Sequence, residues 1–355
     1  MRFIEASPDQ TASVVIASEQ TSRKTIYAAL LLLIIVATLL TYKSSAALGV
    51  IQKVQNTGAF QPRTNVVPLP GNSLQLNAVA RSINYFLVIW PALLFGILIS
   101  GAVRVLDPPR WWSRMLGNGY WRSNLVAGVA GVPLMLCSCC AAPIFSSVYE
   151  KSSRLGPALA ITLAAPSLNP AALILTFMLF GGYIGATRLA MAGFAVFLTS
   201  ILVDRVFSSG RIKCEVAAEE RSEPIPIAFL RSCLQVAVRT VPLIIVGVLI
   251  SMLIALLLPS GILTSGWGKI ASIVVVALIA VPLALPTFFE IPLALILISA
   301  GAPVAAAVPL LIAGPAVNLP SLLTIARTSS WKVAATVAGT ILLLAIAGGL
   351  FASFF

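Results

Sequence analysis

The chain has 355 residues, of which 59% are hydrophobic and only 10% charged, and its mean hydropathy is +1.01. An ordinary soluble domain so poor in charge would lack the polar surface that keeps it dissolved, so lipid is the expected solvent. The net charge of +12 does not mark a nucleic-acid binder, because the 23 Lys and Arg are scattered through short loops, where basic residues normally set membrane orientation.

Residues 1–25 are polar and are expected to form a disordered cytoplasmic N-terminus. The apolar run Ile26–Tyr42 follows Arg23 and Lys24 and resembles a secretory signal, with Ala46-Ala47 as a loose cleavage context. It is long for a signal core and lies far from Met1, so it is read as an uncleaved anchoring helix over 26–42. Residues 43–80 hold Gln55-Asn56-Thr57-Gly58 and Pro68-Leu69-Pro70-Gly71, a turn-rich composition expected of an external loop. A first repeat over 81–207, a cytoplasmic linker over 208–229 and a second repeat over 230–355 follow. A span needs about 20 apolar residues. The segments Ile26–Tyr42, Ile83–Leu106, Leu155–Phe180, Arg188–Phe207, Leu230–Leu258, Pro303–Ile325 and Lys332–Phe354 qualify. The expected fold is an all-α polytopic membrane protein with about seven spanning helices.

Two further apolar stretches, 125–149 and 270–300, are interrupted and are read as re-entrant broken hairpins. Were Leu125–Tyr149 a full span, the cluster Arg104, Arg110, Arg114 and Arg122 would lie opposite Arg205, Arg211, Lys213, Arg221 and Arg231. A stretch that dips in and returns puts these and Lys151 and Arg154 together on the cytoplasmic side. The same treatment of Ile270–Ala300 leaves Lys269 outside and returns Arg327 and Lys332 to the cytoplasm. Lys53 and Arg63 are exceptions, in a long loop where the rule is weaker.

The hairpins are copies. Val132-Pro133-Leu134-x-Leu136 reappears as Val281-Pro282-Leu283-x-Leu285, an offset of 149, and at that offset Pro143 matches Pro292, Pro166 matches Pro315 and Asn169 matches Asn318. Upstream, Gly96-Ile97-Leu98-Ile99-Ser100 corresponds to Gly247-Val248-Leu249-Ile250-Ser251 at an offset of 151. In the topology above the two copies run in opposite directions, making an inverted repeat. Backbone groups freed at a break cannot face lipid, so they are buried in protein or line a polar cavity. In inverted repeats that cavity is the solute site near the bilayer midplane. A proline can also simply kink a buried helix, but matched breaks in two copies favour a transport role.

The first break reads Leu136-Cys137-Ser138-Cys139-Cys140-Ala141-Ala142-Pro143. Five cysteines, an odd number with three nearly contiguous, do not form a disulfide framework, and the absence of His excludes a Cys/His zinc site and a His base. A helix starting near Pro143 would aim its N-terminal dipole at the cluster. Cys137 pairs with Cys139 if the backbone is extended and with Cys140 if it is helical. Either way Cys137, Cys139 and Cys140 present thiol ligands to a soft, metal-like solute. Lone membrane cysteines are usually small buried apolar residues, and Cys214 and Cys233 are read so. The second break reads Pro286-Thr287-Phe288-Phe289-Glu290-Ile291-Pro292, and Glu290 is the one carboxylate well inside an apolar segment. An intramembrane acid is a functional candidate by default, here as a proton carrier or a counter-charge. Ser138 and Thr287 complete the expected solute site. Asn169 and Asn318 either satisfy backbone groups near the prolines or donate to solute. Arg188 and Arg239 lie near span ends and are expected to snorkel.

The pattern Pro133-x-x-x-Cys137-Ser138-Cys139-Cys140-x-x-Pro143 is followed by Gly156-Pro157-Ala158-Leu159-Ala160 and Ala164-Ala165-Pro166-Ser167-Leu168-Asn169-Pro170. It resembles a family of predicted bacterial permeases that includes the ArsP organoarsenical efflux permeases. The resemblance extends to Gly314-Pro315 and Leu319-Pro320, with Cys140 standing where the family usually has glycine. It implies inner-membrane export of a trivalent arsenical or related thiophilic solute driven by the proton gradient, with Cys137 and Cys139 as thiol ligands. A coupling role for Glu290 rests on its burial in an apolar run, not on the family motif. The expected partners are the lipid bilayer and a small-molecule or oxyanion solute, with no nucleic acid and no cofactor, in a bacterial inner membrane; homo-oligomerisation is left open. The chain is read as a transporter rather than an enzyme. Handling of a sulfur anion such as thiosulfate is the alternative solute reading, and a membrane thiol oxidoreductase the alternative of another class. No Walker-type loop is present for direct ATP drive.

Overall fold

In lipid, long runs of Leu, Ala, Ile and Val satisfy their backbone groups internally only as helices or closed barrels. The computed structural model of the chain describes residues 8–58, 66–68, 74–105, 120–152, 154–207, 225–257, 268–299 and 301–354. All regular structure in them is helical. The elements are α1 (Pro8–Thr57), α2 (Leu74–Val105), α3 (Tyr120–Gly131), a 3₁₀ turn (Val132–Leu134), α4 (Ser138–Ser152), α5 (Leu155–Ser167) and α6 (Pro170–Phe207). In the second half they are α7 (Ile225–Leu257), α8 (Lys269–Ala280), α9 (Glu290–Ser299), α10 (Val304–Ala316), α11 (Leu319–Thr328) and α12 (Trp331–Ala352).

Five helices among the described residues are long and apolar enough to cross a bilayer, within α1, α2, α6, α7 and α12. The pair α10 and α11, bent by 43°, makes a sixth. The protein is thus an all-α polytopic membrane protein. The expected span Leu155–Phe180 is not one helix. It is cut at Leu168-Asn169, and at Gly181 α6 itself divides into two helical pieces that fold back on each other, since Arg188 reaches Thr176 twelve residues earlier. Gly181 has φ 84° and ψ 171°, a non-helical geometry that interrupts α6 and that glycine adopts without a Cβ clash. α1 is longer at both ends than the expected 26–42, so residues 8–25, expected to be disordered, and 43–57, expected in the external loop, are helical. Residues 106–119 and 208–224, with Arg110, Arg114, Arg211, Lys213, Cys214 and Arg221, lie outside the described residues, as does Arg63.

The element order repeats. A long helix (α2, α7) is followed by two half-length helices around a break (α3 and α4, α8 and α9), then by helices cut before an asparagine, at Leu168-Asn169 and Val317-Asn318. α2 and α7 pack on each other more extensively than any other pair. α4 is held among α2, α5, α11 and α7, whereas α9 packs on α10 and only touches α6. Packing of α2 on α4 is so close that a Cβ at Gly96 would fall on the Cys140 carbonyl, so only glycine fits. One contiguous apolar core runs through both halves and includes the three clustered cysteines, while Leu33, Trp90, Val238 and Leu343 are exposed on the outside, where lipid would cover them.

Candidate functional site

The first break is short. Met135 adopts a left-handed backbone (φ 48°, ψ 35°) after the 3₁₀ turn, and α4 then starts at Ser138. The expected helix start near Pro143 is therefore five residues late. The Cys137 carbonyl accepts from the Ala141 N–H at 2.9 Å, which closes the first turn before the proline is reached. Pro143 sits inside α4, where its ring withholds one N–H. This geometry places Cys137 at the helix start and Cys139 and Cys140 in its first turn. The Cys137 sulfur lies 2.6 Å from that of Cys140 and 3.2 Å from that of Cys139, and all three Sγ atoms lie within 4.8 Å of one another. All three are free thiols and buried. The Tyr85 hydroxyl of α2 stands 3.1 Å from the Cys139 sulfur.

The second break is longer. Residues 281–289 separate α8 from α9, with Phe288 at φ 74°. Its loose backbone is stitched by Ser251 of α7, whose Oγ accepts from Ala284 N at 2.5 Å and donates to Pro282 O at 2.9 Å. α9 begins at Glu290, so Pro292 lies in the first turn, where its missing N–H is no loss.

Glu290 is 3% exposed, and its Oε1 accepts from Arg188 Nη2 at 2.8 Å. Arg188 Nη1 donates to Thr176 Oγ1 at 2.5 Å. Arg188 is fully buried and does not snorkel, contrary to expectation. It lies in the second turn after the break at Gly181 and folds inward onto Thr176 and Glu290 instead of out to the interface. Removing either member of such a buried pair costs about 3–5 kcal/mol, because the other charge is left uncompensated. The sequence held a signal for it: a buried carboxylate needs a partner, and Arg188 is a cation in an apolar run. Its place near the end of an expected span hid it. Arg239, by contrast, is well exposed, 3.9 Å from Glu150.

Cys137, Ser138, Asn169, Thr287 and Glu290 line one pocket, together with Pro166, Pro286 and Pro315. Its volume is about 10 Å³, close to the room one water needs. Cys139 and Cys140 lie behind Cys137 and do not line it, nor do Asn318, Pro133, Pro143, Pro282 and Pro292. The asparagines are helix caps. Asn318 Oδ1 accepts from Ser321 N at 3.0 Å in a reciprocal capping box, and Asn169 Oδ1 accepts from Ala171 N at 3.1 Å. The Nδ2 of each has no hydrogen-bond partner among the described residues, and that of Asn169 belongs to a pocket residue.

A polytopic helical protein with a small polar pocket where paired breaks meet has the build of a membrane transporter. The chain belongs to the predicted permease family ArsP_1, whose pattern matches residues 75–354. It is similar to the UPF0718 protein YraQ of Escherichia coli K12, with 29% identity over 261 residues covering 72% of this chain and 75% of that one. It is also similar to the UPF0718 protein MJ0584 of Methanocaldococcus jannaschii, at 27% over 126 residues (35% of this chain, 33% of the relative). The UPF0718 protein YcgR of Bacillus subtilis matches at 30% over 108 residues (30% and 36%). No solved structure matches the chain. It is a multi-pass membrane permease whose partners are the bilayer and a small solute.

Proposed function

We propose that the protein is a secondary transporter of the bacterial inner membrane, with a cytoplasmic N-terminus, that exports a soft thiophilic solute such as a trivalent arsenical. The observation that carries this reading is the gathering of three thiol sulfurs within 4.8 Å of one another, one of them on a pocket shared with Glu290. Soft thiolates bind soft, sulfur-seeking centres in preference to hard cations. The two breaks belong to re-entrant hairpins of an inverted repeat, 81–207 and 230–355. Rocking one repeat against the other opens the pocket to alternate sides. Glu290 carries the coupling proton.

A second reading, transport of a sulfur-containing anion such as thiosulfate, draws support from the buried Arg188 cation next to the pocket acid. Uptake of a trivalent methylarsenical and of thiosulfate into proteoliposomes separates the two. Cys137→Ser and Cys139→Ser are each expected to lower flux of the true solute by about tenfold or more, the scale of losing a ligand or its support, at unchanged protein level. Unchanged flux in both variants rejects the thiol site.

A further inference from the structure

We infer that Cys140 completes a three-sulfur site with Cys137 and Cys139, so that the solute is a neutral trivalent triol such as arsenous or antimonous acid, held through three bonds to sulfur, rather than an organoarsenical that forms two at most. The inference rests on reading the thiol cluster as the solute's ligands, and it names the class of solute those ligands take.

The shape of the cluster sets the number of bonds. Its sulfurs form a triangle with sides of 2.6, 3.2 and 3.9 Å. A soft central atom bonded at about 2.3 Å, as zinc is to sulfur, holds its sulfurs roughly 3–4 Å apart. One atom therefore reaches all three once Cys137 and Cys140 spread slightly. Cys137 is the member that lines the pocket, and its sulfur is the one closest to both others. A solute bonded there first lies beside the two remaining thiols. Cys139 and Cys140 have no exposed surface, so a bare atom suits the triangle. The carbon group of a methyl or phenyl arsenical would have to project into a pocket of about 10 Å³, the room of one water.

Charge decides among the soft centres that three sulfurs bind. The sulfurs are hydrogen-bonded to one another and to the Tyr85 hydroxyl. Lys43 of α1 bears on Cys137 through its field but is itself partly exposed. Three thiolates around a monovalent or divalent metal ion leave two negative charges or one in this buried place, which is costly. A trivalent triol leaves none. Each thiol passes its proton to one hydroxyl of the solute, that hydroxyl departs as water, and a bond from sulfur to arsenic replaces the bond from oxygen. Three such exchanges release three waters, arsenic stays trivalent, and no electron is transferred. The Tyr85 hydroxyl goes on donating to the Cys139 sulfur, which then has no proton of its own. Release is the reverse, three waters restoring three thiols.

The full-length protein in detergent, reduced with a phosphine, is titrated with arsenous acid, with phenylarsonous acid and with zinc(II). Affinity is read from ligand-dependent thermal stability, and the sulfurs around bound arsenic are counted by X-ray absorption. Wild type should show three sulfurs around arsenic from arsenous acid. Cys140→Ala should show two and bind arsenous acid about tenfold or more weakly. Its affinity for phenylarsonous acid, which needs only Cys137 and Cys139, should stay that of wild type. If Cys140→Ala does not accumulate, the count in wild type decides alone: three sulfurs support the inference and two overturn it. Arsenous acid binding that Cys140→Ala leaves unchanged overturns it, as does zinc(II) bound more tightly than arsenous acid by wild type. The thiol reading fails separately. Phenylarsonous acid held through two sulfurs, with arsenous acid bound no better, overturns the three-bond site and leaves the thiol ligands standing, whereas binding of neither arsenical rejects the ligands themselves.

Discussion

The two breaks occupy matching places in the two halves of the chain, yet they are built differently. Counting back 149 residues from Glu290 reaches Ala141, so α9 begins three residues later than α4, which starts at Ser138. In the first repeat small residues let the helix start early and bury its first turn against α2 at Gly96. In the second, Phe288 and Phe289 stand where Cys139 and Cys140 do, and the chain stays open until Glu290. The surroundings differ in the same sense. The far end of α4 is latched by Arg104 to Glu150 at 2.5 Å, and the start of α5 by the pair Arg154 and Asp204. Residues 299–303 of the second hairpin carry no charge at all. The first break is a fixed wall that presents sulfur; the second is the looser wall that presents the acid. Local opening is drawn from elements with fewer contacts, so the second hairpin is the one expected to move.

The largest expected effect bears on the ion pair that ties α6 to the second wall. Arg188→Gln alone leaves Glu290 buried without its cation and should destabilise the protein by about 3–5 kcal/mol. Most of that loss should be recovered in Arg188→Gln/Glu290→Gln, read by thermal unfolding and by the level in membranes. A single variant as stable as wild type would mean that α6 and the second break are not joined by this pair. Next in size are the stitching serines. Ser251→Ala orphans the Ala284 N–H and should cost about 1–3 kcal/mol. Ser100→Ala, at the equivalent place in the first repeat, should stay within about 0.5 kcal/mol, because the Ser100 hydroxyl has no partner among the described residues. Equal losses from the two serines would erase the asymmetry drawn above. Gly96→Val, tested beside Gly193→Val, separates wall from lipid face. A Cβ at Gly96 meets the Cys140 backbone, whereas Gly193 has open space. The first should cost about 1–3 kcal/mol through overpacking, and the second should be smaller.

How much of this was legible follows from the chemistry of each residue. Prolines disfavour helix interiors, and Pro133 and Pro282 fall at the two breaks and marked them in sequence, although Pro143 and Pro166 are accommodated inside α4 and α5. Glu290 stood out because nothing else in its apolar run is charged. The helix start at Ser138 was not legible, since it depends on packing of α4 against α2 rather than on local propensity. Arg188 was misread because its position near a span end suggested snorkelling, whereas the fold-back at Gly181 turns it inward onto Thr176 and Glu290. The asparagines were half legible. Their place next to prolines allowed either a backbone role or donation to solute; both cap helices, but which amide group stays free depends on tertiary structure.

The smallest predicted effect tests how rigid the sulfur wall is. Tyr85 is nearly fully buried and its hydroxyl touches the Cys139 sulfur, so Tyr85→Phe removes one buried hydrogen bond and leaves the ring in place. The cost in stability should be about 0.5–1.5 kcal/mol, visible as a small drop in unfolding temperature. If the hydroxyl only fills space, affinity for the solute will not change. If it positions Cys139, affinity should fall several-fold while the dependence of flux on pH that the proposed function ascribes to Glu290 stays as it was. A change in that pH dependence would mean that the two walls are coupled through the thiols, and the division of labour between the breaks would have to be abandoned.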